Sequence, residues 1–191
     1  MARMRQQYRG YFSPWDRLVS AVPEHASVLD AGCGSGLFLA LLAASGRHCR
    51  LVGFDASYSA INNARMMQGE MDEFPAELCF HRRDLTSNWP AGEFDVVSLL
   101  GVLQNLPQQS WAKIFRKAVD HLAPGGVILY KHVATRFRGN SGELDRIYQW
   151  ARVFDLHVVH HEHVRGLYSS YEIICFRKPA AAQAKVLAAH A

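Results

Sequence analysis

Val28-Leu29-Asp30-Ala31-Gly32-Cys33-Gly34-Ser35-Gly36-Leu37-Phe38 is the stretch that decides how this chain reads. Two apolar residues run into an acid, three glycines alternate with small residues, and an apolar run from Leu37 to Ala44 follows at once. That order predicts a buried strand, a turn of bare backbone and the start of a helix. Glycine has no Cβ to hold a ligand off the main chain. The unpaired N–H groups of a helix start then face whatever lies against the turn. A glycine-rich turn with no ligand is the alternative, but three glycines at this spacing behind an acid favour a binding site.

The spacing also selects among nucleotides. A dinucleotide turn needs Gly-x-Gly-x-x-Gly, its last glycine allowing close helix–strand packing. Gly32, Gly34 and Gly36 instead read Gly-x-Gly-x-Gly, and Leu37, Phe38 and Leu39 follow. No Gly-Lys-Ser/Thr occurs, which excludes a P-loop. At these residues the chain resembles the class I S-adenosylmethionine-dependent methyltransferases, whose first motif is Asp/Glu-x-Gly-x-Gly-x-Gly. Asp30 to Gly36 matches that motif at every fixed position. The resemblance implies a Rossmann-like fold, S-adenosylmethionine as cofactor and methyl transfer as the activity.

With 191 residues the chain is long enough for one domain with a sizeable core. Hydrophobic residues make up 49% and charged residues 20%, as in an ordinary globular protein. The formal net charge is +4. The basic residues are scattered: Arg3, Arg5 and Arg9 near the start, Arg82 and Arg83 before Asp84, Arg136 and Arg138 after a strand. Such a balance is a weak sign of nucleic acid. Cys33, Cys49, Cys79 and Cys175 form no Cys-x-x-Cys, so neither a zinc site nor a redox motif is signalled, and reduced thiols in a cytoplasmic protein are expected. The polar start lacks the apolar core of a signal peptide, and no run is long enough to span a membrane.

Apolar runs alternate with helix-like patterns from residue 26 onward. Ser27 to Asp30, Arg50 to Asp55, Leu78 to Arg83 and Phe94 to Leu100 read as strands. The last is almost continuously apolar, as a central parallel strand should be. Leu37 to Ser45 and Ala60 to Gln68 read as helices, with Ser57 as an N-cap and Ile61, Ala64 and Met67 on one face. Ser110 to Leu122 is a further helix, with Trp111, Ile114, Phe115, Ala118 and Leu122 inward. Pro124-Gly125-Gly126 is expected to stop it and open a fifth strand, Val127 to Lys131. A helix from Gly142 to Arg152 follows, then two strands, Phe154 to His160 and Tyr168 to Arg177. Their short connection forces an antiparallel hairpin. The whole predicts an α/β fold: a Rossmann-like, seven-stranded, mostly parallel sheet with helices on both faces and a C-terminal antiparallel β-hairpin. Residues 1–25 are expected to form a helical or lid segment, 26–178 the methyltransferase domain and 179–191 an Ala-rich tail, loosely helical or frayed.

The resemblance carries over residue by residue. Asp55 ends the second strand, roughly twenty residues past the glycine turn, where an acid accepts hydrogen bonds from ribose hydroxyls; an acid at a helix start is the alternative. Ala56 and Ser57 would flank the ribose and adenine. Asp84 and Leu85 match the place where the family meets the adenine amino group and a ring nitrogen; a loop acid paired with Arg82 or Arg83 is the other reading. Asp30, Gly32, Gly34, Gly36 and Gly101 match the stretches that border the methionine end. Phe94 to Pro107, Phe-Asp-Val-Val and then Val-Leu-x-x-Leu, also resembles the family, but within it Gln104-Asn105 stands where many relatives have a histidine pair. Gln104 can orient a substrate but takes no proton.

Methyl transfer needs no strong base, because in-line placement of the nucleophile does most of the work. Tyr8, Tyr11, Phe12 and Trp15 form either a lid or the inner face of an N-terminal helix. Lys131 and His132 follow strand five at the end where open α/β sheets bind ligands. His132 is a candidate base or else a solvated loop histidine; Tyr11, Trp15, Gln104 and Lys131 are candidates for the acceptor pocket. His157, His160, His161 and His163 tempt a metal reading, and His161 and His163 share a strand face. No metal is expected, since their hairpin is taken to lie away from the cofactor end. The absence of Asn-Pro-Pro-Tyr, Asp-Pro-Pro-Tyr and Pro-Cys after strand four argues against methylation of adenine or glutamine amino groups and of cytosine C5. The expected acceptor is a small molecule. An RNA or protein acceptor, and a cofactor-binding scaffold without turnover, are the alternatives. The sequence carries no signal on oligomeric state.

Overall fold

A computed structural model describes residues 13–46, 50–71, 77–135, 142–165 and 169–180. The readings placed on Arg3, Arg5, Tyr8, Arg9, Tyr11, Phe12, Cys49, Arg136 and Arg138, and on the tail from 181, lie outside these residues.

The strands are β1 (Ser27–Ala31), β2 (Arg50–Asp55), β3 (Glu77–Arg82), β4 (Phe94–Leu100), β5 (Leu122–Thr135), β6 (His157–Arg165) and β7 (Ser169–Arg177). They form one seven-stranded sheet in the order β3-β2-β1-β4-β5-β7-β6. The first five run parallel, and β7 lies antiparallel between β5 and β6. Helices α1 (Trp15–Ser20), α2 (Leu37–Ala44) and α3 (Tyr58–Glu70) cover one face; α4 (Trp111–Asp120) and α5 (Glu143–Val153) cover the other.

Side chains alternate across a strand, so a sheet covered on both faces needs apolar residues at successive positions. Val28, Val96 and Leu129 pack under α1–α3, while Leu29, Val97 and Ile128 pack under α4 and α5. Full burial of each such side chain contributes about 1.5–3 kcal/mol. Ser57 caps α3 as expected, its Oγ accepting the Ala60 N–H at 3.3 Å. Leu18 and Val22 are sealed in the core beneath α1, so this N-terminal helix is packed structure.

Two expectations require correction. The fourth helix ends at Asp120, and β5 begins at Leu122 and runs to Thr135. Pro124-Gly125-Gly126 sits inside that strand, where the pairing shifts between Phe94↔Leu122 and Val96↔Val127. Gly125 takes φ +81°, and a Cβ on Gly126 would stand 2.9 Å from the Ala123 carbonyl oxygen, so the glycines build a bulge instead of a stop. Beyond Lys131 the strand continues because β7 supplies partners from Lys131↔Ile173 to Thr135↔Ser169. Lys131 and His132 therefore lie within the strand, not after it.

The hairpin also lies elsewhere than expected. Thr135 pairs with Ser169 and Arg165 with Ser170, which puts the β6–β7 connection at the carboxyl edge of the parallel strands. That is the edge where the glycine turn leaves β1. The reason is topological: α5 returns the chain to the amino edge, so β6 runs in the same direction as β5.

Candidate functional site

The three turn glycines all take positive φ, +79° at Gly32, +54° at Gly34 and +78° at Gly36, a region closed to most side chains. Their tasks differ. A Cβ at Gly32 would meet Val102 at 2.9 Å and the Leu85 side chain at 3.6 Å. A Cβ at Gly36, the N-cap of α2, would come within 2.6 Å of Phe80. Gly34 has nothing within 4 Å of its Cβ position, so it is the point where the backbone lies bare.

Asp55 joins this turn to the next helix. Its Oδ2 accepts the Gly34 N–H at 3.0 Å and its Oδ1 the Ser57 N–H at 2.8 Å. The Ala56 carbonyl accepts from Arg82 Nε at 3.3 Å. Asp84 is exposed, and its Oδ1 accepts both the Thr86 hydroxyl (2.6 Å) and the Thr86 N–H (2.7 Å). These bonds hold its carboxyl below the usual carboxylate range. Among the described residues Asp84 makes no salt bridge with Arg82 or Arg83; Arg83 Nη1 donates instead to the Asn88 carbonyl at 3.3 Å.

Asp30 is 3% exposed and accepts the Ser98 hydroxyl at 2.6 Å. Burial pushes its carboxyl up to about 7, against the Ser98 bond and the Lys131 charge. Lys131 is 6% exposed; its Nζ donates to Ser13 Oγ at 2.8 Å and stands 5.0 Å from the Trp15 ring centre and 5.8 Å from that of Tyr171. The Lys131 carbonyl accepts the Gly101 N–H at 3.0 Å. A Cβ on Gly101 would lie 3.6 Å from Gln104 Nε2 and 3.9 Å from Lys131 Cε. Trp15, Gly101, Gln104 and Lys131 thus lie close together. Tyr171 joins them from β7, a placement no local signal could reveal.

The raised Asp30 carboxyl makes stability depend on pH. A folded-state pKa above the unfolded one means the native state holds the proton more tightly. Its contribution is complete below the unfolded value of 3.8 and is lost as pH rises through about 7. Asp30→Asn is expected to flatten this dependence and to stabilise the protein above pH 7 by on the order of 4 kcal/mol at most. Urea unfolding at pH 5 and pH 8 checks it; equal pH slopes for the two proteins would contradict the assignment.

His132 does not join this group. Its side chain lies on the opposite face of β5 from Lys131, 7% exposed, with Nδ1 3.0 Å from Glu143 Oε1. It is neither a solvated loop residue nor a neighbour of Trp15. Glu143, buried at the start of α5, escaped the sequence reading; the only hint is a carboxylate at the spacing of Ile147 and Ala151 on the inner stripe. Cys33 sits in the turn with its thiol pushed far up by burial, then by Asp30 and Asp55, which leaves it unreactive.

His161 Nε2 and His163 Nδ1 both engage Glu172, at 2.7 and 2.6 Å. Among the described residues no group of three or more His, Cys, Asp or Glu is arranged to hold a metal ion. A cleft of about 790 Å³, lined among others by Arg17, His25, Asp95, His160 and Arg177, opens at the amino edge and shares no residue with the glycine turn. No helix among the described residues is long and apolar enough to cross a membrane.

Bare backbone at the end of β1, an acid bound to that backbone from the end of β2, and a terminal antiparallel strand pair define a Rossmann-like α/β domain. Comparison with known proteins agrees. A family model described as a methyltransferase domain matches residues 3–173. A trans-aconitate 2-methyltransferase from Azoarcus sp. (strain BH72) is 33% identical over 113 residues, 58% of this chain and 41% of that protein. A ribosomal protein L11 methyltransferase from Burkholderia multivorans is 34% identical over 141 residues, 74% of this chain and 41% of its own. The chain thus spans about two fifths of the length of these curated relatives. Among solved structures, the N-methyltransferase NodS from Bradyrhizobium japonicum WM9, in complex with S-adenosyl-L-homocysteine, superposes with a TM-score of 0.67 at 21% identity, covering 92% of this chain and 87% of that one. The chain belongs to the class I S-adenosylmethionine-dependent methyltransferases. Its residues fit the family cofactor: the space above Gly34 is one a Cβ would fill, and Asp55 stands beside it.

Proposed function

We propose that this chain transfers the methyl group of S-adenosylmethionine to a small-molecule acceptor at the carboxyl ends of β4 and β5. The observation that carries this reading is the convergence of Trp15, Gly101, Gln104, Lys131 and Tyr171, near enough to the Asp30 strand end for the Lys131 charge to act on that carboxyl. Aromatic walls with a few polar heads suit a small ligand. The likeness to the trans-aconitate 2-methyltransferase supports it.

In this reading Asp55 takes the ribose hydroxyls, Ala56 flanks them, and Asp84 with the Leu85 N–H reads the adenine edge. Asp30, the glycine turn and the Gly101 backbone border the amino-acid end. The bound cofactor supplies a methyl group made electrophilic by its sulfonium. The chain's own part is placement: Gln104 and Lys131 orient the acceptor in line with that methyl, and Trp15 and Tyr171 exclude water around it.

Calorimetric titration with S-adenosylhomocysteine should give micromolar binding, and NAD none. Radiolabelled methyl groups should then pass into the low-mass fraction of a cell extract. The likeness to ribosomal protein L11 methyltransferases favours a second reading, a macromolecular acceptor. Label in protein or RNA would establish it, with salt-sensitive binding marking RNA. Tight cofactor binding with label in neither fraction would leave a scaffold.

A further inference from the structure

The two rims of the sheet are finished differently. β3 stands at one side and β6 at the other. A rim strand exposes a row of unpaired N–H and C=O groups, which proteins blunt with short strands, Lys, Pro, bulges or a covering element. β3 is six residues long, and α3 covers it. Arg65 Nε and Nη2 donate to the Phe80 carbonyl at 3.3 and 2.9 Å, and Gln68 Nε2 donates to the Leu78 carbonyl at 2.6 Å. β6 is nine residues long and contains neither Lys nor Pro. Among the described residues no side chain bonds its main chain; His161 and His163 bond the side chains of Glu172 and Tyr148 instead. A bulge between Val158 and His160 interrupts one end and leaves His160 to Arg165 regular. Of the five large apolar side chains that stand exposed among the described residues, three, Val153, Val158 and Val159, gather at this margin.

The cleft at the amino edge borders the same strand. Val159, His160 and Glu162 of β6 line it, together with Asp16 and Arg17 of α1. Its walls carry four carboxylates, Asp16, Glu24, Asp95 and Glu162, against two guanidiniums, Arg17 and Arg177. The chain as a whole has a formal charge of +4, so the cleft is an acidic place on a basic protein. Arg17 is shared between Asp16 at 3.5 Å and Glu162 at 3.7 Å, one cation between two acids.

We propose that β6 and this cleft form a docking surface for an extended basic segment of a partner protein. The segment adds to the sheet beside β6, its main chain taking up the unpaired N–H and C=O groups of that strand. Every second side chain then falls on the α1 face, where Lys or Arg reaches Glu162 and Asp16. The excess of carboxylates selects a cationic segment over an acidic one. The inference is independent of the methyl-transfer reading, because the cleft shares no residue with the glycine turn.

Fluorescence polarisation of the full chain with a labelled peptide of alternating Lys and Val tests this, with a peptide of alternating Glu and Val as control. The basic peptide should bind and the acidic one should not. Asp16→Asn combined with Glu162→Gln should weaken the binding by at least about tenfold. Ion pairs at a surface contribute little to folding, so urea unfolding of this variant should match the wild type. With the basic peptide bound, amide exchange should slow along β6 and stay unchanged along β3. Failure of the basic peptide to bind, equal binding of both peptides, an affinity unmoved in the variant, or β6 amides that exchange as fast with peptide as without would overturn the proposal. Sedimentation of the chain alone decides on a second copy as occupant: a dimer whose β6 amides are slowed without any peptide would give the edge to that copy and remove the basic segment.

Discussion

Replacing Gly36 with valine is expected to unfold most of the protein. The φ of +78° at this position costs a side-chain-bearing residue about 1–2 kcal/mol. The new Cβ would also stand 2.6 Å from Phe80 Cζ and 3.1 Å from the Ala64 Cβ. Phe80 has little room to retreat: it is 4% exposed, and it also lies 2.8 Å from where a Cβ of Gly53 would be. Overpacking of this kind costs about 1–3 kcal/mol, more for a branched side chain. Together these approach the whole stability of an ordinary domain, about 5–15 kcal/mol. Urea unfolding measures the loss, and a valine variant within about 1 kcal/mol of wild type would show that the Phe80 seat is looser than described. Gly36→Ala should fall between the two.

Gly34→Val and Asp55→Ala are expected to fold and yet lose the cofactor. Gly34 bears the φ strain alone, because no atom lies within 4 Å of its Cβ position. What valine fills is the space over the bare backbone. Asp55→Ala removes the acceptor of the Gly34 and Ser57 N–H groups and with it the brace that shapes the turn. Each should lower S-adenosylhomocysteine affinity by at least about 100-fold, roughly 2.8 kcal/mol. Calorimetry decides; unchanged affinity in both variants would remove the glycine turn from the site. The contrast between Gly34 and Gly36, two residues apart, is itself informative: one substitution should empty the site and the other the folded state.

The parallel half of the sheet is legible in the sequence because its signals are local. A continuous apolar run marks β4, Ser57 marks the start of α3, and the alternating glycines mark the turn. What stayed hidden depends on neighbours distant in the chain. β5 extends to Thr135 only because β7 lies beside it, and nothing in Lys131-His132 announces that pairing. Pro124-Gly125-Gly126 carries the composition of a stop, and only the pairing with Phe94 and Val96 turns it into a bulge. In the site, Gly101 and Gln104 were nameable from their place past β4, Lys131 from the expected end of β5, and Trp15 from the aromatic run before the first strand. Tyr171 and Glu143 were not, since each arrives from an element whose local pattern is that of plain core. The side of the sheet to which His132 belongs follows from strand parity, which becomes countable once the strand is known to continue through it.

The length of β5 has a further consequence. Residues Val127 to Lys131 are paired on one side to β4 and on the other to β7. The hairpin is therefore stitched to the parallel strands by a seam that cannot part without breaking both ladders. Slowest amide exchange belongs along this seam, and the earliest local opening belongs at the outer rims, β3 on one side and β6 on the other. A breathing motion confined to β6 would loosen the histidines around Glu172 while the turn at Gly34 stays shut, so the two ends of this molecule keep separate clocks.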